Sequence, residues 1–344
     1  MTDIAAIRAA AARARGIRRT PLLSAPGLDA VAGRRVFVKA ECLQVTGSFK
    51  ARGAWSAISA LPAAERARGV LAYSSGNHAQ GIAWAASAHG IPSVILMPSD
   101  APAVKIGNTR ALGAEVVLYD RATEDRDALG LALATERGLT LIPPFDHPEV
   151  IAGQGTVGLE LAAQAAEAGV TDADVLVCCG GGGLSAGIAL ALAAEAPSLR
   201  VRTVEPAAFD DMARSLATGH PVGNTAATGS ICDAILTPRP GALTLPVLRR
   251  LAGPGLAVTD AEALAAMALA FHQLRIVLEP GGAVSLAAAV FHGDAIDGDA
   301  VVCVASGGNV DPARFAEAIT AASSQGNPGA RTVEMAVAPA RQPH

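Results

Sequence analysis

Four consecutive glycines follow a short apolar run and precede a stretch rich in alanine; they are Gly180, Gly181, Gly182 and Gly183. Backbone amides without side chains around them can crowd against a phosphate at the N-terminus of a helix. The run therefore predicts an anion site, and a tight packing turn is the alternative. No Lys-Ser or Lys-Thr pair follows the glycines, which excludes a Walker A loop.

The same run satisfies the fingerprint of dinucleotide-binding proteins. Gly181, Gly183 and Ala186 have the spacing Gly-x-Gly-x-x-Ala, and Glu205 follows 19 residues later, where an acid could bind a ribose. Taken alone, this stretch indicates a nicotinamide-dependent dehydrogenase, and that hypothesis stays open at this point.

Lysine is rare in this chain. Of the 27 basic residues only Lys39, Lys50 and Lys105 are lysines, a bias that is typical of a GC-rich genome. Because arginine carries nearly all of the positive charge, a lysine inside a motif of polar residues and glycines is informative. Its amine can form a Schiff base with a carbonyl compound, which a guanidinium cannot do.

Two further polar loops contain glycine. Residues 74–78 (Ser-Ser-Gly-Asn-His) follow one apolar run, and residues 306–309 (Ser-Gly-Gly-Asn) follow another. Hydroxyl, amide and backbone groups at such points can fix the polar groups of a small molecule.

Short apolar runs bounded by Gly, Pro or Asp alternate with helical stretches rich in alanine along most of the chain. This alternation predicts an α/β fold with parallel sheets and helices on both faces. In such sheets ligands bind at the carboxyl ends of strands, which is where the three glycine-containing loops stand. The predicted strands are 36–39, 69–73, 93–97, 115–119, 140–142, 175–179, 200–204 and 301–305.

The composition excludes several classes of protein. The 344 residues are 51% hydrophobic and 17% charged, with a net charge of −4, which argues against a disordered chain and against a surface for nucleic acid or anionic membrane. Aromatic residues make up 3%, too few for platforms that stack single-stranded bases.

The cysteines indicate a reducing compartment. They are odd in number and lack Cys-x-x-Cys spacing, and the N-terminus lacks the order of a signal peptide, so we expect a cytoplasmic protein. The longest uncharged stretch, 175–194, contains the glycine run, which would break a membrane-spanning helix. The five cysteines are Cys42, Cys178, Cys179, Cys232 and Cys303.

The stretch 41–54, Glu-Cys-Leu-Gln-Val-Thr-Gly-Ser-Phe-Lys-Ala-Arg-Gly-Ala, resembles the lysine motif of the fold-type II pyridoxal-phosphate enzymes. It is most similar to the branch that contains the serine/threonine dehydratases and serine racemase. The similarity extends over roughly residues 18–311 and includes all three glycine-containing loops. It implies a fold like that of the tryptophan synthase β subunit, with two parallel-sheet lobes, and pyridoxal 5′-phosphate as cofactor.

The resemblance also implies a division of the chain. Residues 1–68 and 147–320 would form a large cofactor-binding domain, and residues 69–146 a small domain on the substrate side. Residues 321–344, rich in Ser, Gln, Asn, Gly, Pro and Arg, are predicted to be a flexible tail. A homodimer is the oligomer expected from the family.

The resemblance assigns roles to single residues. Lys50 would hold the cofactor through a Schiff base and then act as the base that removes the Cα proton. Phe49 would pack beside the ring, Asn77 would bind the ring hydroxyl, and Glu279 would lie close to the cofactor. Ser306 would face the pyridine nitrogen, where a hydroxyl maintains less positive charge than a carboxylate would and so favours β-elimination.

Two loops would hold the phosphate and the substrate. The glycine run and Leu184 would bind the phosphate of the cofactor, and residues 74–78 would bind the substrate carboxylate at the N-terminus of a helix. Ser75 matches the family serine on the face of the cofactor opposite the lysine, which occurs in racemases and in dehydratases alike. The predicted substrate loop consists of Ser74, Ser75, Gly76, Asn77 and His78.

Residues 205–211 resemble the divalent-cation site of the racemase branch. Glu205, the backbone carbonyl of Phe209 and Asp211 would supply oxygen ligands, which suit Mg²⁺ or Ca²⁺. The alternative is a pair of surface acids at the end of a strand.

The leading hypothesis is a pyridoxal-phosphate dependent ammonia-lyase that converts L-threonine, L-serine or a related β-hydroxy-α-amino acid to a 2-oxo acid and ammonia. The alternatives are a serine racemase and a dehydratase of 3-hydroxyaspartate or phenylserine. Racemase relatives carry an arginine near 132–135, and here none follows before Arg137, which weakens the racemase hypothesis. Only 34 residues follow Val310, so no effector domain and no feedback control by isoleucine are expected. We expect a small amino acid as the partner, and neither nucleic acid nor membrane.

Overall fold

The computed structural model describes residues 2–324, with side chains as far as residue 320. The described strands form two sheets. In chain order they are β1 (Leu22–Leu23), β2 (Arg35–Ala40), β3 (Val70–Tyr73), β4 (Ser93–Pro98), β5 (Glu115–Tyr119), β6 (Thr140–Leu141), β7 (Ala173–Cys178), β8 (Leu199–Pro206), β9 (Leu256–Val258) and β10 (Ala300–Ala305).

The larger sheet has the order β1-β2-β10-β7-β8-β9, and the smaller sheet has the order β5-β4-β3-β6. All neighbouring strands are parallel except β1, which pairs antiparallel with β2 at the edge of the larger sheet. The α/β fold with two parallel-sheet lobes is therefore confirmed. Each of the predicted strands is present with its ends within two residues of the prediction.

Helices connect the strands and cover the sheets. They are α1 (Ile4–Arg13), α2 (Pro26–Ala32), α3 (Lys50–Ala60), α4 (Ala63–Arg68), α5 (Asn77–Ala88), α6 (Ala103–Ala111), α7 (Arg126–Arg137), α8 (Pro148–Glu167), α9 (Gly183–Glu195), α10 (Asp211–Thr218), α11 (Thr244–Leu251), α12 (Asp260–Leu269), α13 (Pro280–Phe291) and α14 (Pro312–Ser324). A π-helical turn, Ala270–Leu274, continues α12.

Both faces of the larger sheet carry an aliphatic core. On one face α1, α8, α9 and α11 pack around residues such as Val175 and Val302. On the other face α2, α12, α13 and α14 pack around residues such as Leu176 and Val301. The alternation of inward side chains along each strand explains this division, because successive residues point to opposite faces.

Three helices pack closely enough to fix the spacing of the candidate site. A Cβ added to Gly153 of α8 would lie 2.5 Å from the carbonyl oxygen of Arg52 in α3. One added to Gly187 of α9 would lie 2.5 Å from the carbonyl oxygen of Ile151 in α8. Glycine is therefore required at both positions by close backbone approach. This packing fixes the N-terminus of α3, where Lys50 stands, relative to the N-terminus of α9.

A buried charge network holds α3 in the same place. The Arg52 guanidinium donates to both oxygens of Glu41 at 2.8 Å, and to Glu160, which also accepts from Lys39 at 2.6 Å. Arg52 and Glu41 are buried, so each charge depends on its partners, and removal of one would leave the other uncompensated.

The domain boundaries stay a prediction. The packing of α3 bears on where the boundary between the two domains lies. Residues of α3, which the prediction assigned to the large domain, pack in the same core as β3, β4 and α5 of the smaller sheet. Helix α14 continues through Ser324, so the first residues of the predicted tail are helical, and residues 325–344 lie outside the described part of the chain.

Candidate active site

Lys50 is half-buried and is the first residue of α3, a helix that packs on α8 of the larger lobe and on α5 of the smaller one. It therefore stands at the cleft where the two lobes meet. Its Nζ donates a hydrogen bond of 2.8 Å to the carbonyl oxygen of Pro144, and it lies 5.1 Å from the centre of the Phe49 ring. Burial lowers the pKa of the Lys50 amine to about 8, although the carboxylate of Glu279 acts in the opposite direction. A substantial fraction of the amine is therefore neutral near pH 8, as a nucleophile or a base must be.

Phe145 links this lysine to the glycine run. It follows Pro144, the acceptor for Lys50, and its ring packs against the run so closely that a Cβ added to Gly181 would lie 2.2 Å from it. The backbone of Phe145 also approaches Gly183. Lys50 and the glycine run therefore contact the same short segment, residues 144–145, and their shared role in binding a cofactor stays a prediction.

The glycine run ends in the N-terminus of α9. Gly182 is the N-cap with φ +89°, a left-handed conformation that favours glycine, and Gly183 and Leu184 open the helix. The carbonyl oxygen of Gly181 accepts hydrogen bonds from Thr244 Oγ1 at 2.6 Å and from the amide of Gly241. Because the Gly181 carbonyl is engaged by these two donors, the backbone amides at the start of α9 are the groups left to bind an anion. The geometry fits a phosphate group.

Ser306 and Gly307 follow strand β10 beside the lysine motif. The amide of Phe49 donates to the Ser306 carbonyl oxygen at 3.1 Å, and Ser48 pairs with Gly307 in an isolated antiparallel bridge. The Ser306 side chain is buried next to Cys178. The end of β10 and the start of α3 are therefore fixed against each other, with Ser306 hydrogen-bonded to the residue that precedes Lys50.

Glu279 lies at the junction of the two lobes. Its Oε1 accepts a hydrogen bond of 2.6 Å from Asn77 Nδ2, and Asn309 Nδ2 donates to Asn77 Oδ1 at 2.7 Å. Burial raises the pKa of the Glu279 carboxyl to about 7, although the Asn77 amide opposes this shift. A Cβ at Gly307 would lie 2.1 Å from Glu279 Oε1, so this glycine makes the approach possible.

The predicted substrate loop lies at the N-terminus of α5. Gly76 is the N-cap, and its amide donates to Ser74 Oγ at 3.2 Å. Helix α5 packs on the lysine, because a Cβ at Gly81 would lie 3.1 Å from the Lys50 carbonyl. Ser75 is partly exposed in this loop. The loop and the amine are neighbours, and its contacts with a substrate stay a prediction.

His78 has a structural partner. Its Nε2 lies 2.9 Å from the carbonyl oxygen of Ile142, and the ring is buried. Burial lowers the pKa of His78 to about 3, and the nearby Lys50 adds to the shift, so the ring is neutral and Nε2 donates its proton to Ile142. The predicted contact between His78 and a substrate stays a prediction, and this geometry does not favour it.

The predicted cation ligands lie at the end of β8. Both Glu205 oxygens accept backbone hydrogen bonds at the start of α10, from Met212 at 2.9 Å and Ala213 at 2.8 Å. Asp211 Oδ1 accepts from Asn224, whereas Asp211 Oδ2 is buried and has no hydrogen-bond partner. Within residues 2–324 no group of three His, Cys, Asp or Glu side chains could hold a metal ion. A cation here would therefore need the Phe209 carbonyl, and the unpartnered Asp211 oxygen fits such a ligand set.

Two cations near the cleft were not assigned a role from the sequence. Arg126 is the first residue of α7, and its guanidinium lies 4.5 Å from the centre of the Tyr73 ring. Tyr73 is the residue that precedes the substrate loop in the sequence. Lys105 stands in the first turn of α6 and lies 3.3 Å from Asp233. Their positions at the carboxyl end of the smaller sheet are the signal that could have identified them.

A family of known proteins matches most of the chain. The family described as pyridoxal-phosphate dependent enzyme matches residues 13–307. The chain therefore belongs to the family of pyridoxal-phosphate dependent enzymes. This removes the nicotinamide hypothesis that the glycine spacing left open.

Relatives within the family define the branch. The chain is 46% identical to an L-threo-3-hydroxyaspartate ammonia-lyase of Pseudomonas sp, over 87% of this chain and 92% of that protein. It is 39% identical to a serine racemase of Oryza sativa subsp. indica, over 90% and 91%. A crystal structure of a threonine deaminase from T.th. superposes with a TM-score of 0.85 at 44% identity, covering 90% of this chain and 99% of that one.

The described residues contain no helix that is both long enough and apolar enough to cross a membrane. The five cysteines are free and buried.

Proposed function

We propose that this protein is an ammonia-lyase of β-hydroxy-α-amino acids. The substrate loses its Cα proton and its β-hydroxyl as water, and hydrolysis of the resulting enamine returns one water and releases a 2-oxo acid and ammonia. The observation that carries the proposal is the position of Lys50, with a lowered pKa, between the glycine run and the substrate loop. The relatives named ammonia-lyases support it.

The cofactor site follows from the geometry of the chain. The amides of the glycine run and Leu184 would bind the phosphate, and Lys50 would carry the cofactor beside Phe49. Asn77 and Ser306 would bind the polar atoms of the ring. Bound pyridoxal phosphate supplies a conjugated ring that withdraws electrons from the substrate Cα.

Lys50 has the properties of the base in this reaction. Its Nζ is neutral in part near pH 8, because burial lowers the pKa of the amine, so it can accept the Cα proton from a substrate held beside it. The loop of Ser74, Ser75 and Gly76 would bind the substrate carboxylate with backbone amides and hydroxyls at the N-terminus of α5. Ser306 is a neutral group, and beside the pyridine nitrogen of a bound cofactor its hydroxyl would stabilise positive charge less than a carboxylate would. This would favour loss of the β-hydroxyl over return of the proton.

Serine racemase is the second candidate. Racemisation needs a proton donor on the face opposite the lysine, and Ser75 would supply it. Relatives named serine racemases at 38–40% identity keep this candidate open. The ammonia-lyase is preferred because two relatives with that activity in their names are 46% and 40% identical.

The proposal also includes a divalent cation, an oligomeric state and a location in the cell. Mg²⁺ or Ca²⁺ would bind Glu205, the Phe209 carbonyl and Asp211, which is supported by the unpartnered Asp211 oxygen. A homodimer and a cytoplasmic location stay predictions, and the reduced state of the buried cysteines is consistent with the latter.

A substrate panel tests the proposed function. Release of ammonia and 2-oxo acid is measured with L-threonine, L-serine, L-threo-3-hydroxyaspartate and phenylserine, using protein loaded with pyridoxal phosphate. We expect turnover of at least one of them, and loss of that turnover in Lys50→Ala. Absence of 2-oxo acid from all four would contradict the proposal.

A further inference from the structure

Lys105 is paired with an acid across the cleft. Its Nζ lies 3.3 Å from Asp233 Oδ2, which belongs to a short turn, Asp233–Ile235, of the other lobe. Within the described part of the chain, this is the sole ion pair that joins residues 69–146 to the rest of the protein. Lys105 therefore faces the cleft between the lobes and not the outer surface of the smaller one.

The turn that holds Asp233 borders the candidate site. Its Ile235 lies 3.1 Å from the position of a Cβ added to Gly180 of the glycine run, and 3.3 Å from that of a Cβ added to Gly281 at the start of α13. The Glu279 carboxyl, which accepts a hydrogen bond from Asn77, has its pKa lowered by Lys105 and by Lys50 and raised by Asp233, within a larger upward shift caused by burial. Lys105 and Lys50 thus act on the same carboxyl group. Because Lys105 is paired with this turn, it stands at the same cleft as the glycine run and Glu279.

The ion pair between Lys105 and Asp233 is also weak enough for another anion to take the place of Asp233. The Lys105 side chain is 30% exposed and that of Asp233 is 69% exposed, so water screens their attraction and the contact contributes little to folding. A second carboxylate that enters the cleft can therefore replace Asp233 at small cost. The other two lysines already have partners. Lys39 is buried in the charge network with Glu160, and Lys50 is the amine of the candidate site and bonds to the Pro144 carbonyl.

Arg126 is the competing cation, and it is already engaged. Its guanidinium donates to Asp127 at 2.9 Å and stacks on Tyr73. The ion pair of Arg126 lies within its own helix, whereas that of Lys105 reaches the other lobe. The geometry therefore favours Lys105.

We propose that Lys105 binds an anionic group on the side chain of the substrate, in exchange for Asp233, and so selects β-hydroxy-α-amino acids that carry a second carboxylate. This inference rests on the proposed function and narrows its substrate class. Lys105 is then a determinant of specificity, and a neutral side chain such as that of threonine would leave it paired with Asp233.

The kinetic test compares Lys105→Met with Lys105→Arg on two substrates. We expect Lys105→Met to lower kcat/KM for L-threo-3-hydroxyaspartate by about 10- to 100-fold, because the second carboxylate loses a charged partner. The value for L-threonine should change by less than about threefold, since the exposed pair contributes little. Lys105→Arg should retain most of the preference. Equal losses on both substrates would overturn the proposal.

A binding test separates this proposal from the proposed function. L-Aspartate and L-alanine differ in the second carboxylate and lack a β-hydroxyl, so calorimetry with the holoenzyme measures recognition without elimination. Lys105→Met should weaken binding of L-aspartate and leave that of L-alanine unchanged, even if no hydroxy amino acid is turned over. Asp233→Asn should retain or improve the preference for L-aspartate. The proposal is wrong if Arg126→Met abolishes the preference and Lys105→Met does not.

Discussion

Asn77 and Glu279 share a hydrogen bond of 2.6 Å across the junction of the two lobes, with the amide nitrogen as donor and Oε1 as acceptor. Asn77 opens the helix that follows the substrate loop, and Glu279 precedes α13 of the other lobe. This contact joins the predicted substrate side of the cleft to the cofactor side. It also favours the charged form of Glu279, which in turn raises the pKa of Lys50.

The first prediction concerns the residue that carries the cofactor. Borohydride reduction of the loaded protein should leave a pyridoxyl group on Lys50, because this amine is partly neutral and bonds to Pro144, whose neighbour Phe145 packs on the glycine run. Peptide mapping by mass spectrometry measures the position. Lys50→Ala should lower activity by about 10²- to 10⁴-fold or more, the usual contribution of a general base. A label on Lys39 or Lys105 would refute the assignment.

The second prediction concerns pH. A neutral amine is required to capture an aldehyde, so the rate at which the apoprotein takes up pyridoxal phosphate should rise with pH through a midpoint at the Lys50 pKa of about 8. Because the Glu279 carboxylate raises the pKa of Lys50, Glu279→Gln should move this midpoint to lower pH. The absorbance of the bound cofactor follows the rate. A midpoint near that of an ordinary lysine, or an upward shift in Glu279→Gln, would contradict the electrostatics.

The third prediction concerns the glycine run. In Gly181→Ala the new Cβ would lie 2.2 Å from the Phe145 ring, which must move, and we expect a loss of about 1–3 kcal/mol in the free energy of unfolding together with weaker cofactor binding. Gly107→Ala is the matched control, because Gly107 lies in α6 and an added Cβ meets no atom within 4 Å. Thermal unfolding and cofactor titration measure both effects. If the two variants behave alike, the phosphate role of the run is in doubt.

The fourth prediction concerns the cation. Added Mg²⁺ or Ca²⁺ should raise the Tm of the protein, because an ion that binds the folded state alone stabilises it. Asp211→Asn should abolish that increase, since it removes charge at the buried oxygen without a partner. Asp210→Asn is the control, as the Asp210 carboxylate is paired with Arg214. A Tm that does not respond to chelator or metal would exclude the site.

The sequence predicted those parts of the site that follow strand ends. Lys50, the glycine run and Ser306 each stand in a motif of local spacing, and the parallel sheet brings such loops together at one edge. The strands were predicted for a similar reason, since their apolar runs are bounded by glycine, proline or aspartate. The two-residue strand β1 and the three-residue strand β9, which form the two edges of the larger sheet, were missed.

Other features depend on contacts between distant residues. The hydrogen bond between His78 and the Ile142 carbonyl joins residues 64 apart, so no local pattern shows that this ring is buried and has a partner. The Lys105–Asp233 pair spans 128 residues. Arg126 was not predicted, because the racemase relatives carry their arginine near 132–135, further along the helix that begins at Arg126.

The most direct test of the central claim is the partition between elimination and racemisation. Formation of 2-oxo acid and of the D-isomer is measured side by side on the same L-hydroxy amino acid, with L-serine as the reference substrate. We predict that 2-oxo acid forms faster, and that Ser75→Ala removes any D-isomer while it retains much of the elimination. If D-serine accumulates from L-serine faster than pyruvate, the ammonia-lyase assignment is wrong and the protein is a racemase.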